Sequence, residues 1–143
     1  MAVAQAPAGE GPGRGVEGDA SKAVKKGTLI KVEKTKFGKA LVNRAGRAVY
    51  LFDIETTTAP ECYDECAKAW PPVLTKGKPA AGKGARQGKL GTTKRTDGST
   101  QATYAGHPLY YYEHDTPDKI LCQNVVEFGG RWLLVRPGGS AIR

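Results

Sequence analysis

Gly46-Arg47-Ala48-Val49-Tyr50-Leu51-Phe52-Asp53-Ile54-Glu55 returns sixty residues later as Gly106-His107-Pro108-Leu109-Tyr110-Tyr111-Tyr112-Glu113-His114-Asp115. At that offset Gly46 falls on Gly106, Val49 on Leu109, Tyr50 on Tyr110, Phe52 on Tyr112 and Glu55 on Asp115. Cys62 then falls on Cys122, and a two-residue slip adds Trp70 on Trp132. Repetition at a fixed period sets the architecture before any single element does. The chain therefore reads as two diverged copies, 28–74 and 90–137, forming one small domain. Residues 75–89 join them, and tails at 1–27 and 138–143 flank them.

The chemistry of each copy is that of β structure. Lys39–Asn43, the turn Arg44-Ala45-Gly46 and Ala48–Phe52 read as strand, turn, strand. Ser99–Tyr104, Ala105-Gly106 and Leu109–Tyr112 repeat the scheme, with Asp97-Gly98 ahead of them as a hairpin turn. Arg131–Val135 reads as a closing strand stopped by Pro137, and Thr28–Lys34 as a further strand in which Ile30 and Val32 alternate with polar neighbours. One short helix is predicted over Pro60–Ala69. Proline suits its first turn, carboxylates favour its start, and Pro71-Pro72 ends it. The fold class is mainly β, with that helix after the first repeat.

Composition narrows the classes. The 143 residues carry 22 Lys+Arg against 14 Asp+Glu, a net charge of +8, with 19 glycines and 9 prolines. No apolar run approaches the ~18 residues of a spanning helix, and no heptad or collagen period is present. Met1–Ser21 holds too little apolar surface to offset its ordering entropy and is expected to be disordered. It lacks the apolar run of a secretory signal, so no signal peptide is evident. Ala4-Gln5-Ala6 fits a small-x-small site, but Pro7 disfavours cleavage after it. The segment thus fits either a cytosolic chain or a mature form.

Four chemistries present themselves. Tyr50/Phe52 and Tyr110/Tyr112 project pairwise from one face of their strands, as core rings or as an exposed platform for a ligand. Asp53/Glu55 and Glu113/Asp115 have the look of an acid/base pair, but no nucleophile, oxyanion motif or phosphate loop accompanies them, and capping of turns accounts for them better. Cys62, Cys66, Cys122, His107 and His114 are donors for copper or zinc, yet their spacing matches no metal motif. Cys62 and Cys66, as i,i+4 neighbours on a helix, would make a geometrically demanding disulfide. Between Cys66 and Thr96 there is no acid while eight Lys and Arg residues occur, and 75–89 is a flexible basic loop by composition. Such a loop suits salt-dependent contact with an anionic polymer but carries no motif for sequence-specific nucleic acid.

Together, Cys62-Tyr63-Asp64-Glu65-Cys66-Ala67-Lys68-Ala69-Trp70-Pro71-Pro72, Arg95-Thr96-Asp97-Gly98 and Gln101-Ala102-Thr103-Tyr104-Ala105-Gly106-His107-Pro108-Leu109-Tyr110 resemble a bacterial secreted or lipoprotein family. That family consists of tandem repeats with a Tyr-x-(Phe/Trp/Tyr)-x-x-Asp motif and no characterised function. The motif residues are then Tyr50, Phe52, Glu55, Tyr110, Tyr112, Asp115, Trp70 and Trp132. Glu55 stands where the family usually has Asp, and no lipobox cysteine occurs near the start. The resemblance implies a secreted or envelope-associated protein and an oxidising compartment in which a bridge persists. Cys62 and Cys66 share the family block and are the first disulfide candidate. Cys122, the repeat partner of Cys62, is the rival. No cofactor is implied, and the catalytic set is empty. The expectation is a non-catalytic binding or structural module of unknown ligand. The competing expectation is a metal-binding or redox accessory protein using cysteine and histidine, with His107, His114 and Cys122 as its candidate ligands.

Overall fold

The computed structural model describes residues 27–117 and 119–143. The expected disordered tail lies, apart from Gly27, outside the described residues. Nine strands are described: β1 Leu29–Thr35, β2 Gly38–Asn43, β3 Tyr50–Phe52, β4 Ala80–Ala81, β5 Leu90–Lys94, β6 Thr100–Tyr104, β7 His107–Pro108, β8 Val125–Glu127 and β9 Gly130–Leu134. One α-helix, α1, covers Glu65–Ala69, and a 3₁₀ turn covers Gln87–Lys89. The strands form three small sheets, ordered β2-β1-β4, β3-β9-β8 and β5-β6-β7. The molecule is a small mainly-β domain.

The strands follow from local chemistry. β1 and β2 form an antiparallel hairpin running from Ile30 opposite Asn43 to Thr35 opposite Gly38, where Gly38 takes a φ of 114° that a side chain would resist. β5 and β6 form the second hairpin, turned at Asp97-Gly98, whose Asp97 carboxylate accepts from both the N–H and the hydroxyl of Ser99. The second motif strand predicted at Leu109–Tyr112 does not form as a strand. β7 ends at Pro108, and Tyr110 continues only as isolated bridges to Tyr50 and to Pro72.

Those bridges expose how the halves combine. Tyr50 and Tyr110 exchange both backbone bonds, at 2.8 and 2.9 Å, so the two motif segments meet antiparallel. Each hairpin is then closed by the last segment of the other repeat. The Leu41 N–H donates to the Val135 carbonyl at 2.9 Å, and the Ala102 N–H to the Val73 carbonyl at 2.8 Å. β3 pairs with β9 along Tyr50–Leu134, Leu51–Leu133 and Phe52–Trp132, while the Val73 N–H donates to the Leu109 carbonyl. The two sequence repeats are interwoven, not set side by side.

Strand alternation then splits the core into two layers. Val49, Leu51, Leu109, Leu133 and Val135 face an aliphatic cluster with Ile30, Leu41, Val73 and Leu90. Ala48, Tyr50, Phe52, Tyr110, Trp132 and Leu134 face an aromatic cluster that also holds Trp70, Cys62 and Cys66. The central strands are buried on both faces. Full burial of each large apolar side chain is worth about 1.5–3 kcal/mol.

Two expectations need correction. The helix spans only Glu65–Ala69, with Asp64 ahead of it at φ 55°. Residues 60–64 are drawn off the helical path because the Glu61 N–H donates to the Glu55 carboxylate and the Cys62 carbonyl accepts from Arg95. The stretch 75–89 is also not a free loop. β4 pairs parallel with β1, the Val32 N–H donates to the Lys83 carbonyl, and the Gln87 side chain bonds both Pro79 and Ala81. Composition registers the glycines and lysines of this strap but not its backbone partners. No helix among the described residues is long and apolar enough to cross a membrane.

Candidate functional site

The motif residues converge on the axis where the halves meet. Trp70 and Trp132 stack at 4.2 Å with their planes 6° apart. Phe52 stacks on the outer face of Trp132 at 4.0 Å, and its repeat counterpart Tyr112 lies over Trp70 at 4.8 Å. The result is a column of four rings ordered Phe52, Trp132, Trp70, Tyr112. Tyr50 meets Trp70 edge-on at 5.1 Å, and Tyr110 meets Trp132 edge-on at 5.2 Å, the arrangement that ring quadrupoles favour. Both indole N–H groups end on one residue: Trp70 donates to the Glu127 carboxylate at 2.8 Å and Trp132 to the Glu127 carbonyl at 3.0 Å.

The motif acids are exchanged between repeats. The Tyr50 hydroxyl donates to Asp115 and the Tyr110 hydroxyl to Glu55, each at 2.5 Å. Each acid also accepts a backbone N–H six residues ahead of it, Glu55 from Glu61 and Asp115 from Leu121, at 2.7 and 2.9 Å. One carboxylate thus locks the other repeat's tyrosine and its own repeat's approach to the cysteine position. Glutamate substitutes for aspartate at residue 55 without loss of either bond.

This environment changes the acids. Burial pushes Glu55 from its ordinary 4.5 up to about 7, against the lowering effect of the Tyr110 and Glu61 bonds and of the Arg95 charge. Its Oε1 is buried without a partner. Burial raises Asp115 as well. Tyr50 and Tyr110 are pushed above their usual range, chiefly by desolvation. Arg95, itself buried, donates to Gln101 at 2.9 Å and to the Cys62 carbonyl at 2.6 Å, and lies 4.3 Å over the Tyr63 ring.

Cys62 and Cys66 form a disulfide with their Cα atoms 5.2 Å apart. Because Cys62 precedes the helix, the bridge does not meet the i,i+4 geometry expected to make it demanding. The rival pairing through Cys122 does not occur: Cys122 is a free, half-buried thiol. Burial raises its pKa, and the Asp115 and Glu127 charges add to the rise, so it is held as thiol and not as the reactive thiolate. At the repeat counterpart of Cys66 stands Val126.

The reading of the rings as an exposed platform is overturned, since Tyr50, Tyr110, Trp70 and Trp132 are fully buried and only Tyr112 is partly open. The acids are held by separate partners. Glu55 and Asp115 are bound as described, and the Asp53 carboxylate accepts the Arg131 N–H. His107 lies on β7, where burial lowers its pKa, and His114 is exposed beside Glu113 and the Tyr112 ring. Among the described residues no three His, Cys, Asp or Glu side chains gather as a metal set. Glu127 and Arg95, which hold the column and the cysteine loop, were not singled out for those contacts. The bonds from Trp70 to Glu127 and from Arg95 to the Cys62 carbonyl span 57 and 33 residues of sequence, and no local pattern announces them.

A family model described as a secreted repeat of unknown function matches residues 31–74 and again residues 91–136. No curated protein and no solved structure matches the chain.

Proposed function

The chain belongs to this family of secreted repeats, which puts its work outside the cytoplasm, and from that premise we propose that it is a non-catalytic binding module held at the cell envelope. The observation that carries the reading is the fate of the motif. The motif tyrosines, acids and indoles are spent inside the core: tyrosine on acid, indole on indole, acid on backbone. What the fold leaves for a partner is its surface, and that surface is basic. The net charge is +8, and the acid-free stretch from Ala67 to Arg95 includes the strap tied along β1.

An anionic polymer of the envelope is the partner that this charge suits, through attraction that salt screens. The experiment is retention of the purified full chain on isolated cell-envelope material. Binding at about 0.15 M salt with release near 1 M salt supports the reading. Passage of the protein unretained at about 0.15 M salt sinks it.

A further inference from the structure

One part of the surface gathers charge at a cost. β1 and β2 pair so that Lys34 lies directly opposite Lys39, and like charges facing each other on a ladder are destabilising. Lys83 joins them from the strap, held in place by the bond from the Val32 N–H to its carbonyl at 2.8 Å. The approach is close enough that a Cβ on Gly84, which sits at φ 83°, would lie 2.8 Å from the Val32 Cβ. Glycine is what lets the strap run there.

Lys31, Lys34, Lys39 and Lys83 together line an open depression of about 590 Å³, with Val32 and Pro137 among its walls. One acid, Glu33, shares the lining, and its carboxylate is engaged by Lys31 at 3.5 Å. Among the described residues no carboxylate pairs with Lys34, Lys39 or Lys83. The repeat counterpart offers nothing similar, since β5 carries Leu90-Gly91-Thr92-Thr93 ahead of Lys94. The charge cluster is therefore not a requirement of the fold.

We propose that this depression is a binding site for a linear phosphate polymer of the envelope, a proposal that rests on the envelope-binding reading above. Lysine presents a compact ammonium with three rotatable donors, a point charge that engages successive phosphates without fixing a bidentate geometry. The open depression admits a chain passing through it and does not enclose a monomer. The phosphates neutralise the Lys34–Lys39 opposition, so binding and relief of the cross-strand repulsion reinforce each other.

The test is titration of the full chain with inorganic polyphosphate between about 0.05 and 0.5 M salt. Wild type is compared with Lys34→Gln/Lys39→Gln/Lys83→Gln and with a control of equal charge loss, Lys68→Gln/Lys76→Gln/Lys78→Gln. The groove variant is expected to bind about tenfold or more weakly, with the slope of log K against log salt shallower by about 2. The control stays close to wild type. The melting temperature of the free groove variant equals or exceeds that of wild type, because it no longer opposes two charges. Equal loss in both variants, or groove-dependent binding to phosphatidylglycerol vesicles without binding to polyphosphate, overturns the proposal. A groove variant still retained on envelope material sinks the site and leaves the broader reading standing. A wild-type chain that is not retained there sinks both.

Discussion

Glu55→Gln swaps one carboxyl oxygen for an amide nitrogen and leaves the shape of the side chain intact. In the native protein Oε2 receives the Tyr110 hydroxyl and the Glu61 N–H, while Oε1 is buried without a partner. Burial has pushed this acid from 4.5 to about 7. The folded chain then keeps a proton that the unfolded chain has released. The stabilisation of the protonated form is therefore fully present below about pH 4.5 and lost as pH rises through 7. At about 1.36 kcal/mol per pKa unit the full swing is at most about 3 kcal/mol. Glutamine mimics the protonated acid at every pH, so the variant should match wild type near pH 4.5 and exceed it increasingly up to pH 8. Urea unfolding followed by tryptophan fluorescence at pH 4.5, 6 and 8 reads this directly. With m near 1–3 kcal/mol/M, the difference in midpoint reaches about 1–3 M at pH 8. Asp115 is raised by burial too and tilts both proteins alike, so the difference between them is the quantity to read. A variant less stable than wild type by the same amount at every pH refutes the reasoning, because it would mean that the fold needs the anion, held by Arg95.

Tyr50→Phe and Tyr110→Phe each remove the donor to a buried carboxyl and should each cost about 1.5–3 kcal/mol; chemical denaturation that finds one of them neutral would break the equivalence of the two halves. Reducing the Cys62–Cys66 bridge should lower stability by only about 2 kcal/mol, because it closes so short a loop. Denaturation with and without reductant checks this, and a collapse of the fold on reduction would contradict it. Gly130→Ala places a Cβ 2.6 Å from the Phe52 ring and 2.7 Å from Ile54. Overpacking of this kind should cost about 1–3 kcal/mol, read as a lowered melting temperature.

Much of the β structure was legible in the sequence because its signals are local. Asp97-Gly98 declares a turn within four residues, and the alternation of Ile30 and Val32 declares a strand face within three. The repeat was legible because Tyr50 and Tyr110 each keep aromatic and acidic neighbours at the same spacing. What those acids bind was not legible. The alignment pairs Glu55 with Asp115, whereas the structure joins Glu55 to Tyr110 and Asp115 to Tyr50, across 55 and 65 residues. The helix is shorter than its local signals imply for a related reason. Pro60 to Asp64 satisfies every local rule for a first turn, and two bonds outweigh them, one to Glu55 just upstream and one from Arg95, 33 residues away. β4, two alanines in a glycine- and lysine-rich stretch, has no intrinsic signal and exists because β1 offers it an edge.

The interwoven closing segments and exchanged tyrosines have the geometry of a two-chain homodimer carried on one chain. An isolated copy would present a tyrosine reaching for an acid it does not own, and a hairpin open where the other copy should close it. Two such copies facing across a two-fold axis satisfy each other, with every contact made twice. Tethering converts that encounter into an intramolecular one, so the partner is always at hand. It also releases the copies from identity. One copy keeps its cysteine pair while the other carries Cys122 and Val126 at the same places. One carries three lysines that line a depression with Lys83 of the strap, while the other does not. The symmetric interior supports the shared fold, and the asymmetric exterior is free to specialise.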